Sequence, residues 1–218
     1  SRRHFLGITA CSLATAGLAP LPGASGDAQA QLPPSLPGMD SPDAVLLNFN
    51  ENPHGPFPEA ARAAADALPR SHRYLFGLQR DFTALFAAQN GLGEDQVAGY
   101  CGSGVALDSA ALAFASPQAA LVTADPTFES LAQMADAHGA RMVRVPLRAD
   151  GAHDVRAMAA AANEAGAGLV YVCNPNNPTG SITPRADIDW LLAHVPAGCV
   201  VLVDEAYIHY CDEPDTLD

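Results

Sequence analysis

The sequence predicts an α/β fold, in which helices cover both faces of a mostly parallel sheet to give a three-layer α/β/α arrangement. Short runs rich in Val and Leu alternate with Ala- and Leu-rich stretches of helical length, and this alternation is typical of βαβ units. The apolar fraction of 49% is also high enough for a sheet that is buried on both sides.

The predicted elements follow from local patterns. A first helix at 58–68 begins with Pro58 in its first turn, and a second at 78–90 ends at Gly91. Strands are predicted at 97–101, 120–123, 142–145, 169–173 and 200–203. Helices are predicted between them, near 105–115, 128–138, 154–165 and 185–194.

The start of the chain predicts an export signal. The pair Arg2-Arg3 precedes an apolar stretch and then small residues, which is the order of a twin-arginine signal peptide. We therefore expect an exported, periplasmic protein. Four segments are predicted: a signal peptide at 1–30, a linker at 31–44, an N-terminal segment at 45–70 and the main domain at 71–218.

Charge excludes two classes of partner. The formal net charge of −13 argues against nucleic acid and against an anionic membrane surface, because both are bound through basic patches. The seven His residues show no paired spacing, so we expect no metal site. All 11 basic residues are Arg, and the chain contains no Lys.

Two motifs follow the predicted strands 97–101 and 120–123. Gly102-Ser103-Gly104 joins a strand to a helix, where backbone N–H groups and the helix dipole face an anion such as a phosphate. Asp125-Pro126-Thr127-Phe128 carries a ring that can stack on a planar cofactor. Each motif has an ordinary structural reading as well, as a plain turn and as a core aromatic residue.

Two further motifs follow the strands 169–173 and 200–203. The turn Asn174-Pro-Asn-Asn-Pro-Thr-Gly180 directs Asn amides to a fixed point. Asp204 ends an apolar run, so we expect it at the tip of a central buried strand, where a carboxylate needs a partner such as a protonated pyridine nitrogen. Tyr207 can reach the same ring. Because ligands of open α/β sheets bind at the carboxyl ends of the strands, the four motifs together predict a pyridoxal 5'-phosphate (PLP) site.

With these motifs the sequence resembles the class I/II, fold-type I aminotransferases, and within them the histidinol-phosphate aminotransferase branch. The segment Asn48-Phe-Asn-Glu-Asn-Pro-His-Gly-Pro56 is similar to a segment of that branch. The resemblance implies that 71–218 is the incomplete, PLP-binding large domain of this fold. It also implies seven cofactor-binding residues: Tyr74, Ser103, Gly104, Phe128, Asn177, Asp204 and Tyr207.

The resemblance assigns a role to each of these residues. The backbone at Ser103 and Gly104 would bind the cofactor phosphate, and Phe128 would stack on the pyridine. Asn177 would bond the ring hydroxyl, as would Tyr207. The two remaining roles concern charge and assembly: Asp204 would pair with the pyridine nitrogen, and Tyr74 would reach the phosphate of a neighbouring subunit, which implies a homodimer.

The resemblance also locates the catalytic amine outside this chain. The Lys that forms a Schiff base with PLP would lie beyond Asp218, together with the Arg that binds the substrate carboxylate, so no catalytic residue is assigned here. Because the chain also lacks an initial Met and stops within the alternating pattern, we expect it to be the front part of a longer protein.

The leading hypothesis is an exported aminotransferase that moves an amino group between an amino acid or amino-alcohol phosphate and a 2-oxo acid. One alternative is a PLP-dependent decarboxylase or lyase of the same fold. Another is a non-catalytic, cofactor-binding remnant that lacks the Schiff-base Lys. An NAD-binding domain is disfavoured because no Gly-x-Gly-x-x-Gly opens the first βα turn.

Overall fold

The computed structural model describes Val45 and residues 49–212. The predicted signal peptide at 1–30, the linker at 31–44 and Asn48 lie outside the described residues. Contacts divide the chain into two compact units, with the boundary between His72 and Arg73. The part of the first unit that is described contains one α-helix, α1 (Pro58–Ala67), with Pro58 in its first turn, and a 3-10 turn at Leu68–Arg70.

The second unit contains a sheet and five α-helices among its described residues. The strands are β1 (Ala120–Asp125), β2 (Met142–Pro146), β3 (Ala167–Cys173) and β4 (Val200–Asp204). The helices are α2 (Phe76–Asn90), α3 (Ser103–Phe114), α4 (Ser130–Ala137), α5 (Val155–Ala165) and α6 (Arg185–His194). Short 3-10 helices lie at Glu94–Gln96 and Ile208–Tyr210.

The four strands form one parallel sheet in the order β2-β1-β3-β4. The chain leaves β1 toward β2 on one side and then returns across β1 to β3 on the other side. The direction of winding therefore reverses between β1 and β3, and in open parallel sheets this reversal opens a crevice at the carboxyl ends of the two strands.

Side-chain alternation along the strands divides the core into two layers. Leu121, Leu169 and Tyr171 face α3 and α4 in one cluster, whereas Val122 and Val170 face α5 and α6 in the other. Both faces of the sheet are thus covered, which confirms the predicted α/β/α arrangement with a parallel sheet.

Two of the predictions about strands are wrong. Residues 97–101 form no strand, because within the described residues they pair with none of the four strands; a Cβ built on Gly99 would lie 3.2 Å from the Phe82 ring. β4 was expected to be central, but within the described residues it pairs with β3 alone and lies at an edge of the sheet. Its residues before Asp204 are consequently only half-buried.

The remaining predicted elements are confirmed to within a few residues at each end. α2 ends at Gly91, which has a left-handed φ of 66° that glycine adopts without strain. None of the helices among the described residues combines the length and apolarity needed to cross a membrane.

Candidate functional site

The carboxyl ends of β1, β3 and β4 are joined by hydrogen bonds. Cys173 and Asp204 are register partners at the ends of β3 and β4, and the Asn174 N–H donates to the Asp204 carbonyl oxygen at 2.9 Å. Beyond the end of β1, Thr127 Oγ1 donates to Asn176 Oδ1 at 2.6 Å. Three of the four sequence motifs therefore meet at the carboxyl ends of the strands.

The turn after β3 is held by its first two Asn side chains. Asn174 Nδ2 donates to the Thr183 carbonyl at 3.1 Å, and its Oδ1 accepts from the Thr183 N–H at 2.8 Å. Asn176 Nδ2 donates to the Pro126 carbonyl at 3.1 Å and to Thr179 Oγ1 at 2.8 Å. Both Asn residues are buried, so their amides serve the turn itself.

Asn177 differs from these two residues. It is half-buried and, with Phe128, lines a cavity of about 460 Å³. The other lining residues come from the same two loops and the start of α4: Pro126, Thr127, Glu129, Ser130, Gln133 and Pro178. The cavity therefore lies at the reversal between β1 and β3, and the structure brings Phe128 and Asn177 together as predicted.

Asp204 is buried, with 8% of its surface exposed. Its Oδ2 accepts a hydrogen bond of 2.8 Å from the Tyr171 hydroxyl, and its Oδ1 accepts one of 3.1 Å from the Ala206 N–H. A carboxylate can accept about four hydrogen bonds, so these two donors leave it able to bind a further cationic or N–H group.

Two titratable groups lie beside Asp204 on the same face of the sheet. Burial raises the pKa of Tyr171 well above its usual value, and the neighbouring Cys173 and Asp204 raise it further. Burial also raises the pKa of the Cys173 thiol, although the backbone N–H groups of Asn177 and Phe128 beside the sulfur act in the opposite direction. Both groups are consequently protonated at neutral pH.

The fourth motif lies at the start of α3. Gly102 precedes the helix with a φ of 88°, a conformation that glycine adopts without strain, and Ser103 and Gly104 are exposed in the first turn. The opposite end of α3 lies beside the start of β3, because a Cβ on Gly168 would be 2.1 Å from the Phe114 carbonyl oxygen. α3 therefore begins toward the carboxyl edge of the sheet.

Ser103 and Phe128 line different cavities. Ser103 lines one of about 500 Å³, together with residues of α2, of the stretch before α3 and of α3 itself: Phe82, Phe86, Val97, Ala98, Gly99, Tyr100, Gly102 and Ala106. The predicted phosphate loop and the predicted stacking ring thus both lie toward the carboxyl ends of the strands, but they do not line the same cavity.

The two predicted Tyr residues differ in burial. Tyr207 is half-buried and precedes the 3-10 helix Ile208–Tyr210, three residues beyond Asp204. Tyr74 is 89% exposed, and its ring stacks on Phe76 with centroids 5.5 Å apart. Tyr74 lines neither of the two cavities.

Tyr171 and the buried His153 were not predicted from the sequence. Tyr171 was recognisable as the one residue with a hydroxyl group in β3, but its direction toward Asp204 depends on the pairing of β3 with β4. His153 Nδ1 lies 3.0 Å from Thr183 Oγ1, and burial lowers its pKa to about 4. Across the described residues, no group of three or more His, Cys, Asp or Glu is arranged to hold a metal ion.

Comparisons with known proteins identify relatives of the chain. Residues 42–217 match the profile of the family "Aminotransferase class I and II". An aromatic amino acid aminotransferase of Nocardia farcinica is 38% identical over 194 residues, covering 86% of this chain and 54% of the relative. A histidinol-phosphate aminotransferase of Moorella thermoacetica is 38% identical over 168 residues, covering 77% and 43%.

Solved structures agree with these matches. The crystal structure of histidinol-phosphate aminotransferase from Sinorhizobium meliloti in complex with pyridoxal-5'-phosphate superposes with a TM-score of 0.69 at 27% identity. The superposition covers 73% of this chain and 43% of that one. The chain spans about half the length of the curated relatives it matches.

Proposed function

The chain belongs to the aminotransferase class I and II family, and we propose that the whole protein is a PLP-dependent aminotransferase. It moves an amino group between an amino acid or amino-alcohol phosphate and a 2-oxo acid. The observation that carries the proposal is the buried Asp204 carboxylate, which lies at the same sheet edge as the cavity formed by Phe128 and Asn177.

The residues at this edge fit the chemical groups of PLP. A buried carboxylate is unfavourable unless it is paired, and Asp204 can accept a hydrogen bond from a protonated ring nitrogen in addition to those from Tyr171 and Ala206. The Asn177 amide can donate to a ring oxygen, and the exposed start of α3 offers N–H groups to an anion.

Each residue has a distinct task in this proposal. PLP, when bound, supplies an electron sink for the carbanion that forms at the substrate carbon. Asp204 holds a proton at the ring nitrogen, and Phe128 limits the tilt of the ring and excludes water from one face. Ser103 and Gly104 bind the phosphate through their backbone N–H groups, while Tyr207 and Asn177 orient the ring oxygen.

The relatives indicate the class of amino donor. One group of relatives acts on aromatic amino acids and another on histidinol phosphate, and both donors carry a planar, unsaturated ring. We propose that this protein also uses a donor with a planar ring. The sequence-based expectation was an amino acid or amino-alcohol phosphate, and the relatives favour donors of these two classes that carry a ring.

Assembly and location are further parts of the proposal. Tyr74 is 89% exposed and stacks on Phe76, which suits a side chain that reaches the site of a second subunit in a homodimer. The pair Arg2-Arg3 supports export through a twin-arginine signal to the periplasm.

Amino transfer by the whole protein, including the part beyond these 218 residues, tests the proposal. The purified protein is loaded with PLP and offered 2-oxoglutarate with histidinol phosphate, phenylalanine, tyrosine or alanine, and glutamate formation is measured. We expect kcat/KM for the best ring donor to exceed that for alanine by about tenfold or more. Absence of glutamate with every donor would contradict the proposal, and release of CO₂ instead would favour the decarboxylase alternative.

Matched variants locate the activity. Asp204→Asn should lower kcat/KM by about 100-fold, because the ring nitrogen loses its charged partner. Asp66→Asn makes the same chemical change on an exposed position of α1 and should leave kcat/KM within about twofold.

A further inference from the structure

Tyr171 stands out because its hydroxyl, from the neighbouring strand β3, donates a hydrogen bond of 2.8 Å to Asp204 Oδ2. It is fully buried in β3, between aliphatic neighbours, where the ring of a Phe would fill nearly the same space. We propose that Tyr171 is a positioning residue that sets the orientation of the Asp204 carboxylate toward the cofactor. This inference rests on the proposed function.

The sheet directs Tyr171 toward Asp204. Cys173 is the register partner of Asp204, and Tyr171 lies two residues earlier in β3, so its side chain is on the same face as those of Cys173 and Asp204. The length of the phenol spans the offset along the strands, and the hydroxyl ends 2.8 Å from Asp204 Oδ2. The contact is therefore a consequence of the strand register.

The direction of this hydrogen bond is fixed. Burial and the neighbouring Cys173 and Asp204 raise the pKa of Tyr171 far above its usual value, so the hydroxyl keeps its proton. A protonated hydroxyl donates to a carboxylate oxygen, and hydrogen bonds to charged acceptors are stronger than those between neutral groups.

Two donors on different oxygens define the plane of the carboxylate. Tyr171 binds Oδ2, while the Ala206 N–H binds Oδ1 at 3.1 Å. With both donors present, rotation about the last side-chain bond of Asp204 breaks at least one hydrogen bond. Without the Tyr171 hydroxyl, the Ala206 N–H would still hold Oδ1, but Oδ2 would lose this hydrogen bond and the carboxylate could rotate more freely about that bond.

Four forms of the whole protein test the inference: the wild type, Tyr171→Phe, Asp204→Asn and the double variant. Two quantities are measured for each, the Kd for PLP and the ¹⁵N chemical shift of the ring nitrogen in labelled PLP, which reports whether that nitrogen is protonated. Tyr210→Phe removes the same hydroxyl from a residue that is 81% exposed and serves as the matched control.

We expect Tyr171→Phe to weaken PLP binding by about tenfold, as expected for loss of one hydrogen bond to a charged group. The ring-nitrogen resonance should move toward the unprotonated position. In the Asp204→Asn background the same change should have little further effect on either quantity, because the carboxylate through which Tyr171 acts is absent. Tyr210→Phe should match the wild type.

The outcomes separate the inference from the proposed function. A wild-type protein that fails to bind PLP overturns both. A wild type that binds PLP, with a Tyr171→Phe variant equal to it in Kd and chemical shift, overturns the inference alone. Equal weakening in the wild-type and Asp204→Asn backgrounds also overturns it, since Tyr171 would then act through packing.

A second substitution covers the case in which Tyr171→Phe does not fold. Replacing Tyr171 by 2,3-difluorotyrosine retains the packing and makes the hydroxyl a stronger donor. The ring-nitrogen resonance should then shift, whereas the same replacement at Tyr210 should leave it in place. No shift at position 171 would contradict the inference.

Discussion

Asn174, Asn176 and Asn177 occupy one turn but have different roles. The first two are buried, and their amides bond to backbone and hydroxyl groups of the turn and its neighbours. Asn177 is half-buried and lines the cavity beside Phe128. A single sequence motif therefore combines two residues that hold the loop with one that is available to a ligand.

Separate substitutions should distinguish these roles. Asn176→Ala removes the hydrogen bonds to Thr127, Thr179 and the Pro126 carbonyl, and should lower the free energy of unfolding by about 2–3 kcal/mol. Asn177→Ala should change it by about 0.5 kcal/mol or less and instead weaken PLP binding. Chemical denaturation and PLP titration measure the two effects; equal destabilisation by both variants would contradict the division of roles.

His153 predicts a pH dependence of stability. Burial lowers its pKa to about 4 in the folded protein, from an ordinary value of 6.5. Between these two values the unfolded chain binds more protons than the folded one, so stability rises with pH there and is lost as pH falls from 6.5 toward 4. The contribution of this single group is at most about 3 kcal/mol.

The measurement is the free energy of unfolding at several pH values for the wild type and His153→Gln. The variant should lose up to about 1.4 kcal/mol per pH unit of the wild-type slope below pH 6.5. His72→Gln alters an exposed His and should keep the wild-type slope. If the free energy of unfolding of His153→Gln changed with pH as steeply as that of the wild type, His153 would not be the source of this pH dependence.

The sequence predicted best the positions of those candidate residues that directly follow strand ends. Phe128 and Asn177 were predicted and do share a cavity, because a residue's position after a strand can be read from the chain. Tyr171 and His153 were missed because their partners, Asp204 and Thr183, are 33 and 30 residues away along the chain. Such pairs depend on tertiary contacts that periodicity does not report.

At the scale of elements, the helices were predicted more accurately than the strands. Helix ends carry local signals, such as Pro58 at the start of α1 and Gly91 after α2. Strand formation depends on a partner, which the stretch at 97–101 lacks within the described residues. The same dependence explains why the pairing of β4 with β3 alone, among the described residues, could not be inferred from its apolar run.

Gly168 fixes the distance between α3 and β3. A Cβ at this position would lie 2.1 Å from the Phe114 carbonyl oxygen and 2.9 Å from the Ala119 Cβ, and the first of these is backbone. Gly168→Ala should therefore lower the free energy of unfolding by about 2–4 kcal/mol, because the helix end or the strand must move.

The control for this substitution lies in α2. A Cβ on Gly77 would meet nothing within 4 Å, so Gly77→Ala should be neutral or stabilise the protein by up to about 1 kcal/mol. Denaturant unfolding of both variants measures the difference. A Gly168→Ala variant as stable as the wild type would show that α3 and β3 are farther apart than the structure describes.

At the scale of the molecule, strand order decides where the site forms. The order β2-β1-β3-β4 puts the loops after β1 and β3 on either side of the winding reversal, and the hydrogen bond between Thr127 and Asn176 joins them there. The sequence predicts alternating strands and helices, but many strand orders are compatible with that alternation. The convergence of three motifs was therefore an expectation that required the fold to test it.

The proposed function depends on where PLP binds in the whole protein. A crystal structure of the full chain with PLP is the most direct measurement of this. We predict that the ring nitrogen lies within hydrogen-bonding distance of Asp204, with Phe128 against the ring and the phosphate at the start of α3 near Ser103. PLP bound away from the carboxyl edge of the sheet, or a ring nitrogen without contact to Asp204, would contradict the proposed function.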